Sequence, residues 1–328
     1  MSDNSVLISV GIPVRNGAIT LERALQSILD QTYKNIEIII SDNNSSDETE
    51  KICKEFAIKD CRIAYYKQEK TITALENFQF VFEKSQGKYF MWAADDDLRS
   101  NNYIEVLLNG FQSHPEASII FSDTTVFKDI KNPNIDNQMV SINDGSQGRF
   151  DSQGLSFIKK HIQQRRSICV HIYGLINSKY LYDYPWLEFD IDFAPDFPIL
   201  HWLLCHGDFI YVYDTTFYYF QLYKSPATMA LANSLKPLKK FPLIRFSHCC
   251  AQSIIRAETK KNPYFNNIFT YIYMFFFFYY FRTGGLINIL KNALYTITPS
   301  PIQMFWRRIK KSCLKDLSKM AISQNDGR

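Results

Sequence analysis

Three short apolar runs, each broken off by a polar loop, constrain this chain most. Val6-Leu-Ile-Ser-Val-Gly-Ile12 stops at Pro13. Ile36-Glu-Ile-Ile-Ile-Ser41 gives way to Asp42-Asn-Asn-Ser-Ser-Asp47. Tyr89-Phe-Met-Trp-Ala-Ala94 ends in three consecutive acids, Asp95, Asp96 and Asp97. Runs of this length, rich in Ile and aromatic residues, are strand-like. Segments of helical spacing lie between them: Thr20 to Asp30, with Leu21, Ala24, Leu25, Ile28 and Leu29 as its apolar positions, a second reaching about Ala57, and a third from Thr73 to Lys84. A further strand is expected from Arg62 to Lys67. This alternation implies right-handed βαβ units and a mostly parallel sheet in an α/β fold. Ligands of such sheets lie beyond the carboxyl ends of the strands. The loops at Pro13 to Asn16, Asp42 to Asp47 and Asp95 to Asp97 all fall at those ends, so they are expected to converge on one edge.

Adjacent carboxylates at a strand end repel one another. A hard cation that prefers oxygen ligands, Mg²⁺ or Mn²⁺, relieves that repulsion. The alternative is a solvated acidic turn ahead of the helix that starts near Ser100.

Beyond the triplet, a helix is expected from about Asn101 to Gln112 and a strand from Ser118 to Phe127. The polar stretch Lys128 to Gly154 reads as a long mobile loop, a lid or an acceptor-binding insertion. Val170 to Asn177 reads as a strand. Pro195 opens a helix through Leu204, because Pro is tolerated in a first turn. Phe209 to Tyr213 and Thr216 to Gln221 read as a closing hairpin turning at Asp214 and Thr215. Strand signals cease after about Ser225. The expected division is an α/β domain over 1–232 and a helical, basic and aromatic region over 233–328.

Charge separates the same two parts. The net charge is only +4, yet from Lys236 onward there are 16 Lys and Arg against 3 Asp and Glu. The 20 residues between Lys261 and Arg282 carry no charge and are dominated by Tyr and Phe. Tyr favours the headgroup interface, and the cluster Arg307-Arg-Ile-Lys-Lys311 lies beside Phe305 and Trp306. The expectation is interfacial attachment to an anionic membrane, not nucleic-acid binding. The alternatives are a helix packed on the first domain or in a homo-oligomer interface, and a full span. The seven cysteines show no CxxC or zinc spacing, and the first five residues are polar without a secretion signal. These features point to a cytoplasmic protein, peripheral on the inner face of the cytoplasmic membrane.

Four stretches together resemble one family. Val10-Gly-Ile-Pro-Val-Arg-Asn-Gly17, Gln26-Ser-Ile-Leu-Asp-Gln-Thr-Tyr33, Ile38-Ile-Ile-Ser-Asp-Asn-Asn-Ser-Ser-Asp-Glu-Thr49 and the Asp95 triplet are similar to glycosyltransferase family 2, with the GT-A fold. The match is best over roughly residues 6 to 105 and looser to about 228. The resemblance implies an inverting, metal-dependent transferase using a nucleotide-diphospho-sugar, a UDP-sugar first. The implied acceptor is a glycan or lipid-linked glycan of the bacterial surface, of the O-antigen or capsular type.

The resemblance also implies roles for particular residues. Pro13, Arg15 and Asn16 line the nucleotide pocket, with Glu22 close by. Asp42 accepts from the base, or else makes an Asx turn or cap, a role expected more of Ser45 or Ser46. Asn77 contacts the donor, or is a surface helix residue. The family's acidic motif departs here, with Ala94 at the place of the first acid. Asp97 is the expected direct ligand of Mn²⁺ or Mg²⁺, assisted by Asp95 or Asp96. Asp196 is the expected catalytic base, with Asp190 and Asp192 as competitors and a first-turn helix acid as the alternative role. Gln221 and Tyr223 stand where the family carries Arg and His, so Lys224 is the remaining candidate for a diphosphate contact. Two other readings stay open: a sugar-phosphate nucleotidyltransferase, though Gly11-Ile-Pro-Val-Arg-Asn-Gly17 is a poor phosphate loop, and a non-catalytic scaffold of a polysaccharide assembly complex.

Overall fold

The structure, a computed structural model, describes residues 6–127, 140–141, 169–186 and 196–220. Expectations for Lys224, Asp190, Asp192, the boundary near residue 232 and the aromatic tail fall outside these residues. So does the 128–154 loop, apart from a two-residue strand.

The first half alternates as the apolar runs require: β1 (Ile8–Val14), α1 (Leu21–Leu29), β2 (Ile36–Asp42), α2 (Thr49–Lys59), β3 (Ile63–Lys67), α3 (Ala74–Glu83) and β4 (Tyr89–Trp92). Then come β5 (Leu98–Arg99), α4 (Tyr103–Ser113), β6 (Ile119–Phe127), β7 (Val140–Ser141), β8 (Leu175–Asn177), α5 (Asp196–His206) and β9 (Phe209–Phe220). They form one sheet in the order β3-β2-β1-β4-β8-β6-β9-β5, with β7 on β6. β1 pairs in parallel with β2 and β4, and β2 with β3. β8 is antiparallel to both β4 and β6, so β6 and its parallel neighbour β9 run with the first four strands. The sheet is therefore mostly parallel, and its crossovers are helical.

The strands are hydrophobic on both faces because helices cover both faces. Ile8, Val10, Ile12, Ile38 and Ile40 are fully buried with Leu21, Leu25 and Ile28 of α1 and Ile104 and Leu107 of α4. α3 starts on a capping box, in which Thr73 accepts from the Glu76 N–H and the Glu76 carboxylate accepts from the Thr73 N–H. α3 lies close on β1 at Gly11, where an added Cβ would stand 2.7 Å from a methyl of Val81.

Two local expectations are corrected. The expected strand at 170–177 is a 3-10 turn, Cys169–Tyr173, followed by the three residues of β8. The turn is held by ring packing, with His171 edge-on to Phe121 at 4.3 Å and Tyr173 stacked on Phe217 at 5.3 Å. The expected hairpin at 209–221 is one long strand, β9. Both of its halves pair in parallel with β6, and the register shifts between Phe121 and Asp123. Asp214 has the left-handed φ of 68° that a hairpin turn would show. Here it lies in the interruption of that register, where Val212 to Thr215 of β9 stand against the single residue Ser122 of β6.

Candidate active site

The register places the three polar loops side by side. Val14 lies opposite Asp42, and Gly11 opposite Trp92, so β1, β2 and β4 end at one edge of the sheet. The β1 and β2 loops are then laced together. The Asn16 N–H donates to Ser45 Oγ at 2.9 Å and the Ser46 N–H to Asn16 Oδ1 at 2.9 Å. The Gly17 N–H donates to Thr49 Oγ1 at 2.9 Å and the Ala18 N–H to Asp47 Oδ2 at 3.1 Å. Asn16 and Asn44, each with φ 55°, supply the left-handed bends that Asn tolerates well. Pro13 is half-buried, while Arg15, Asn16 and Glu22 are exposed.

Asp42 is fully buried and Asn77 is 3% exposed. Asp42 Oδ1 accepts from the Ser45 N–H at 2.9 Å, and Oδ2 from the Tyr65 hydroxyl at 2.9 Å. The turn-forming role expected of Ser45 or Ser46 thus belongs to Asp42 itself. Asn77 is no surface residue: its amide accepts from Ser41 Oγ and donates to the Ser41 carbonyl at 3.2 Å, tying α3 to the end of β2.

The acidic loop is held against the β1 loop from the other side. Asp95 Oδ2 is 3.5 Å from its donor Thr20 Oγ1 and would be 2.3 Å from a Cβ at Gly17. Gln31 secures the chain just beyond. It is fully buried, donates to the Ser100 carbonyl at 2.8 Å, and accepts from the Ile104 N–H at 2.9 Å. Asp97, fully buried, accepts at Oδ1 from the Phe220 N–H at 2.8 Å, while its Oδ2 is buried with no hydrogen-bond partner among the described residues. Arg99, 3% exposed, donates to the Trp92 carbonyl at 3.2 Å and lies over the rings of Phe217 and Tyr103.

Electrostatics mark this cluster. Burial, then the charge of Asp96, pushes Asp95 up to about 7. Asp96 is raised by burial and partly restored by the charge of Arg23. Asp97 stands well above the ordinary carboxyl value, first from burial and then from Asp96, with Arg99 pulling the other way. Asp196, the first residue of α5, is pushed up to about 7 by burial, against the pull of its own and the Phe197 N–H groups. Acids held near neutrality by their surroundings are the groups that exchange protons or bind cations. Burial raises the Tyr173 phenol, and the charges of Asp97, Asp196 and Asp96 raise it further.

The family model for "Glycosyl transferase family 2" matches residues 9–182 of this chain. The chain belongs to glycosyltransferase family 2. Its fold is the GT-A fold of that family. An uncharacterised glycosyltransferase of Rickettsia typhi is 40% identical over 105 residues, 32% of each chain. Glycosyltransferase GlyG of Streptococcus pneumoniae is 35% identical over 116 residues, 35% of this chain and 38% of that protein. The minor teichoic acid biosynthesis protein GgaB of Bacillus subtilis is 34% identical over 110 residues, 32% of this chain and 12% of that protein. These matches take in less than two fifths of each relative. Residues 1–349 of S. aureus TarS, crystallised with UDP, superpose with a TM-score of 0.58 at 12% identity, covering 91% of this chain and 77% of that one. That likeness is one of fold.

Sequence reasoning missed the residues that hold the site together. Tyr65, Thr20 and Arg23 carry no motif of their own. Gly17 and Gln31 lie inside the matching stretches, and that position was the available signal. Nothing in the sequence singled out Arg99 or Tyr173.

Proposed function

We propose that this glycosyltransferase moves a sugar, with inversion, from a nucleotide-diphospho-sugar to a glycan or lipid-linked glycan of the bacterial surface. UDP-sugars are the first donors to test, since the TarS structures of the same fold were solved with UDP and with UDP-GlcNAc. The observation that carries this reading is the convergence of the β1, β2 and β4 loops, with the acidic triplet among them, at one edge of the sheet.

Each group has a role in that reaction. The laced loops of Pro13 to Asn16 and Asp42 to Asp47 form a rigid wall for the nucleoside, with Arg15 and Glu22 at its exposed rim. Asp42, buried and bonded to the Ser45 N–H and the Tyr65 hydroxyl, orders the β2 loop behind the base, and Asn77 keeps the β2 end in place. Lys224 is the candidate for a diphosphate contact. Asp196, in its ionised form, accepts the proton of the acceptor hydroxyl as that oxygen attacks C1 opposite the leaving group. No covalent enzyme intermediate is required, so the configuration at C1 inverts.

Among the described residues, no group of three or more His, Cys, Asp or Glu side chains converges to hold a metal. The residues nonetheless fit Mn²⁺ or Mg²⁺ bound by one or two carboxylates plus substrate phosphates. Asp97 Oδ2 is an unpaired buried oxygen, and Asp95 and Asp96 are acids raised by burial beside it. Asp97 would be the direct ligand, with Asp95 assisting. When bound, the ion supplies positive charge to the departing diphosphate.

Residues 233–328 are proposed to attach the enzyme to the inner face of the cytoplasmic membrane, from their charge and aromatic content. Among the described residues no helix is long and apolar enough to cross a membrane.

A thermal-shift panel of nucleotide sugars, with and without Mn²⁺, tests the donor. A ligand that binds the folded state alone raises stability by RT ln(1 + [L]/Kd). Metal-dependent stabilisation by one nucleotide series is expected, and none from any nucleotide sugar would remove the donor site.

A further inference from the structure

We infer that the donor's nucleobase is bound without a carboxylate on its ring N–H, and that Tyr65 brings this about by keeping Asp42 occupied. The inference rests on the nucleotide-sugar reading above and adds to it how the base is selected.

Uracil and guanine each carry a ring N–H on their pairing edge, and a reachable carboxylate is a strong acceptor for such a group. The loop after β2 holds two acids, Asp42 and Asp47, and both are committed within the protein. Asp42 is fully buried. Its Oδ1 accepts from the Ser45 N–H and its Oδ2 from the Tyr65 hydroxyl, each at 2.9 Å. Its carbonyl accepts from the Asn44 N–H at 2.8 Å and the Gln68 N–H at 2.9 Å. Asp47 accepts from the Ala18 and Thr49 N–H groups, each at 3.1 Å.

Strand register explains why Tyr65 reaches Asp42. Tyr65 lies opposite Ile40 in the parallel β2–β3 pair. Asp42 stands two residues beyond Ile40, so its side chain projects from the same face of the sheet. The phenol therefore meets the carboxylate from the neighbouring strand. Burial, and then this bond, raise the phenol above its ordinary value, so it stays protonated and keeps donating. Tyr65 is the partly exposed member of the pair.

The rest of the wall is closed in the same way. Asn43, 6% exposed, spends its amide on the backbone of Ile72. Its Oδ1 accepts from the Ile72 N–H at 2.8 Å, and its Nδ2 donates to the Ile72 carbonyl at 2.9 Å. Gln68 Nε2 donates to Ser41 Oγ at 3.0 Å. The end of β2 is thus tied to the 68–73 loop, and its acceptors are filled before a base arrives. Tyr65 acts through Asp42, as a positioning residue.

Calorimetric titration of the full chain with Mn²⁺ present tests this. UDP is compared with two analogues lacking the ring N–H, N3-methyl-UDP and CDP, and GDP is compared with N1-methyl-GDP. For whichever series binds wild type, parent and analogue are expected to agree within about 3-fold. Tyr65→Phe keeps the ring and removes only the hydroxyl, which leaves Asp42 Oδ2 to take the base's N–H. The preference for the parent should then open by about 10- to 100-fold, the worth of a hydrogen bond to a charged group. A purely structural role would weaken parent and analogue alike. A folded Tyr65→Phe with the wild-type ratio therefore overturns the role of Tyr65. A wild type that already prefers the parent 10-fold or more over every analogue of its series overturns the inference without recourse to the variant. A wild type that binds no nucleotide overturns the nucleotide-sugar reading, and this inference with it.

Discussion

The backbone N–H of Phe220 donates to Asp97 Oδ1 at 2.8 Å, across 123 residues of chain. The last described residue of β9 thus holds one oxygen of the acid loop, leaving the other buried and unpaired. An unsatisfied buried oxygen costs about 1–3 kcal/mol, and a bound cation would recover that cost.

Asp97→Asn should therefore keep the fold while abolishing metal-dependent donor binding. The amide oxygen can still accept from Phe220, and the neutral side chain escapes the repulsion that raises Asp97. Asp97→Ala is the less informative variant, because it also strands the Phe220 N–H. Calorimetric titration with Mn²⁺ and a UDP-sugar checks this; wild-type affinity in the Asn variant would exclude Asp97 as a ligand.

Gly17→Ala should damage the site through the acid loop. Its Cβ would stand 2.3 Å from Asp95 Oδ2 and 2.8 Å from a Val14 methyl, inside a buried contact. Overpacking of this kind typically costs about 1–3 kcal/mol. A fall in the urea midpoint with a matching loss of donor affinity is expected. An unchanged midpoint would show that Asp95 does not lie against Gly17.

Asp196 gives a pH-dependent prediction. Its folded value of about 7 lies above the ordinary 3.8, so the folded state holds this proton more tightly than the unfolded chain. The stability it contributes is complete below about pH 4 and is lost as the pH rises through about 7. Asp196→Asn, which cannot ionise, should match wild type at pH 4. At pH 8 it should be more stable, by on the order of 4 kcal/mol at about 1.36 kcal/mol per pKa unit. Melting curves across that range check the sign, and a variant less stable than wild type at pH 8 would contradict it.

Membrane attachment is tested with vesicles. Residues from Lys236 onward carry 16 basic against 3 acidic side chains, and each basic residue near an anionic surface contributes about 1 kcal/mol. Co-sedimentation should require anionic lipid and weaken with salt. Equal binding to neutral vesicles, or none to either, would contradict the proposal.

The sequence made the first half of the sheet legible because each apolar run there is followed by its own helix. It also placed three polar loops at one edge. What it hid depends on contacts distant in the chain. Asp214 has the conformation of a hairpin turn, and only pairing of both flanks with β6 shows that the chain does not reverse there. Asn77 shares the buried face of α3 with Leu75 and Val81, and Ser41 gives that position its partner. Tyr173 sits in an apolar run that periodicity alone reads as strand, and Phe217 and Asp97 reach it from far along the chain.

The central claim is that Asp196 serves as the base for sugar transfer by this site. The most direct measurement compares nucleoside diphosphate release from the same donor panel by wild type and Asp196→Asn in the presence of Mn²⁺. The variant keeps an acceptor at the start of α5. Turnover by wild type is expected, with a loss of about 10²- to 10⁴-fold in the variant, the usual contribution of a general base, and donor binding retained. Transfer by Asp196→Asn at the wild-type rate would contradict it.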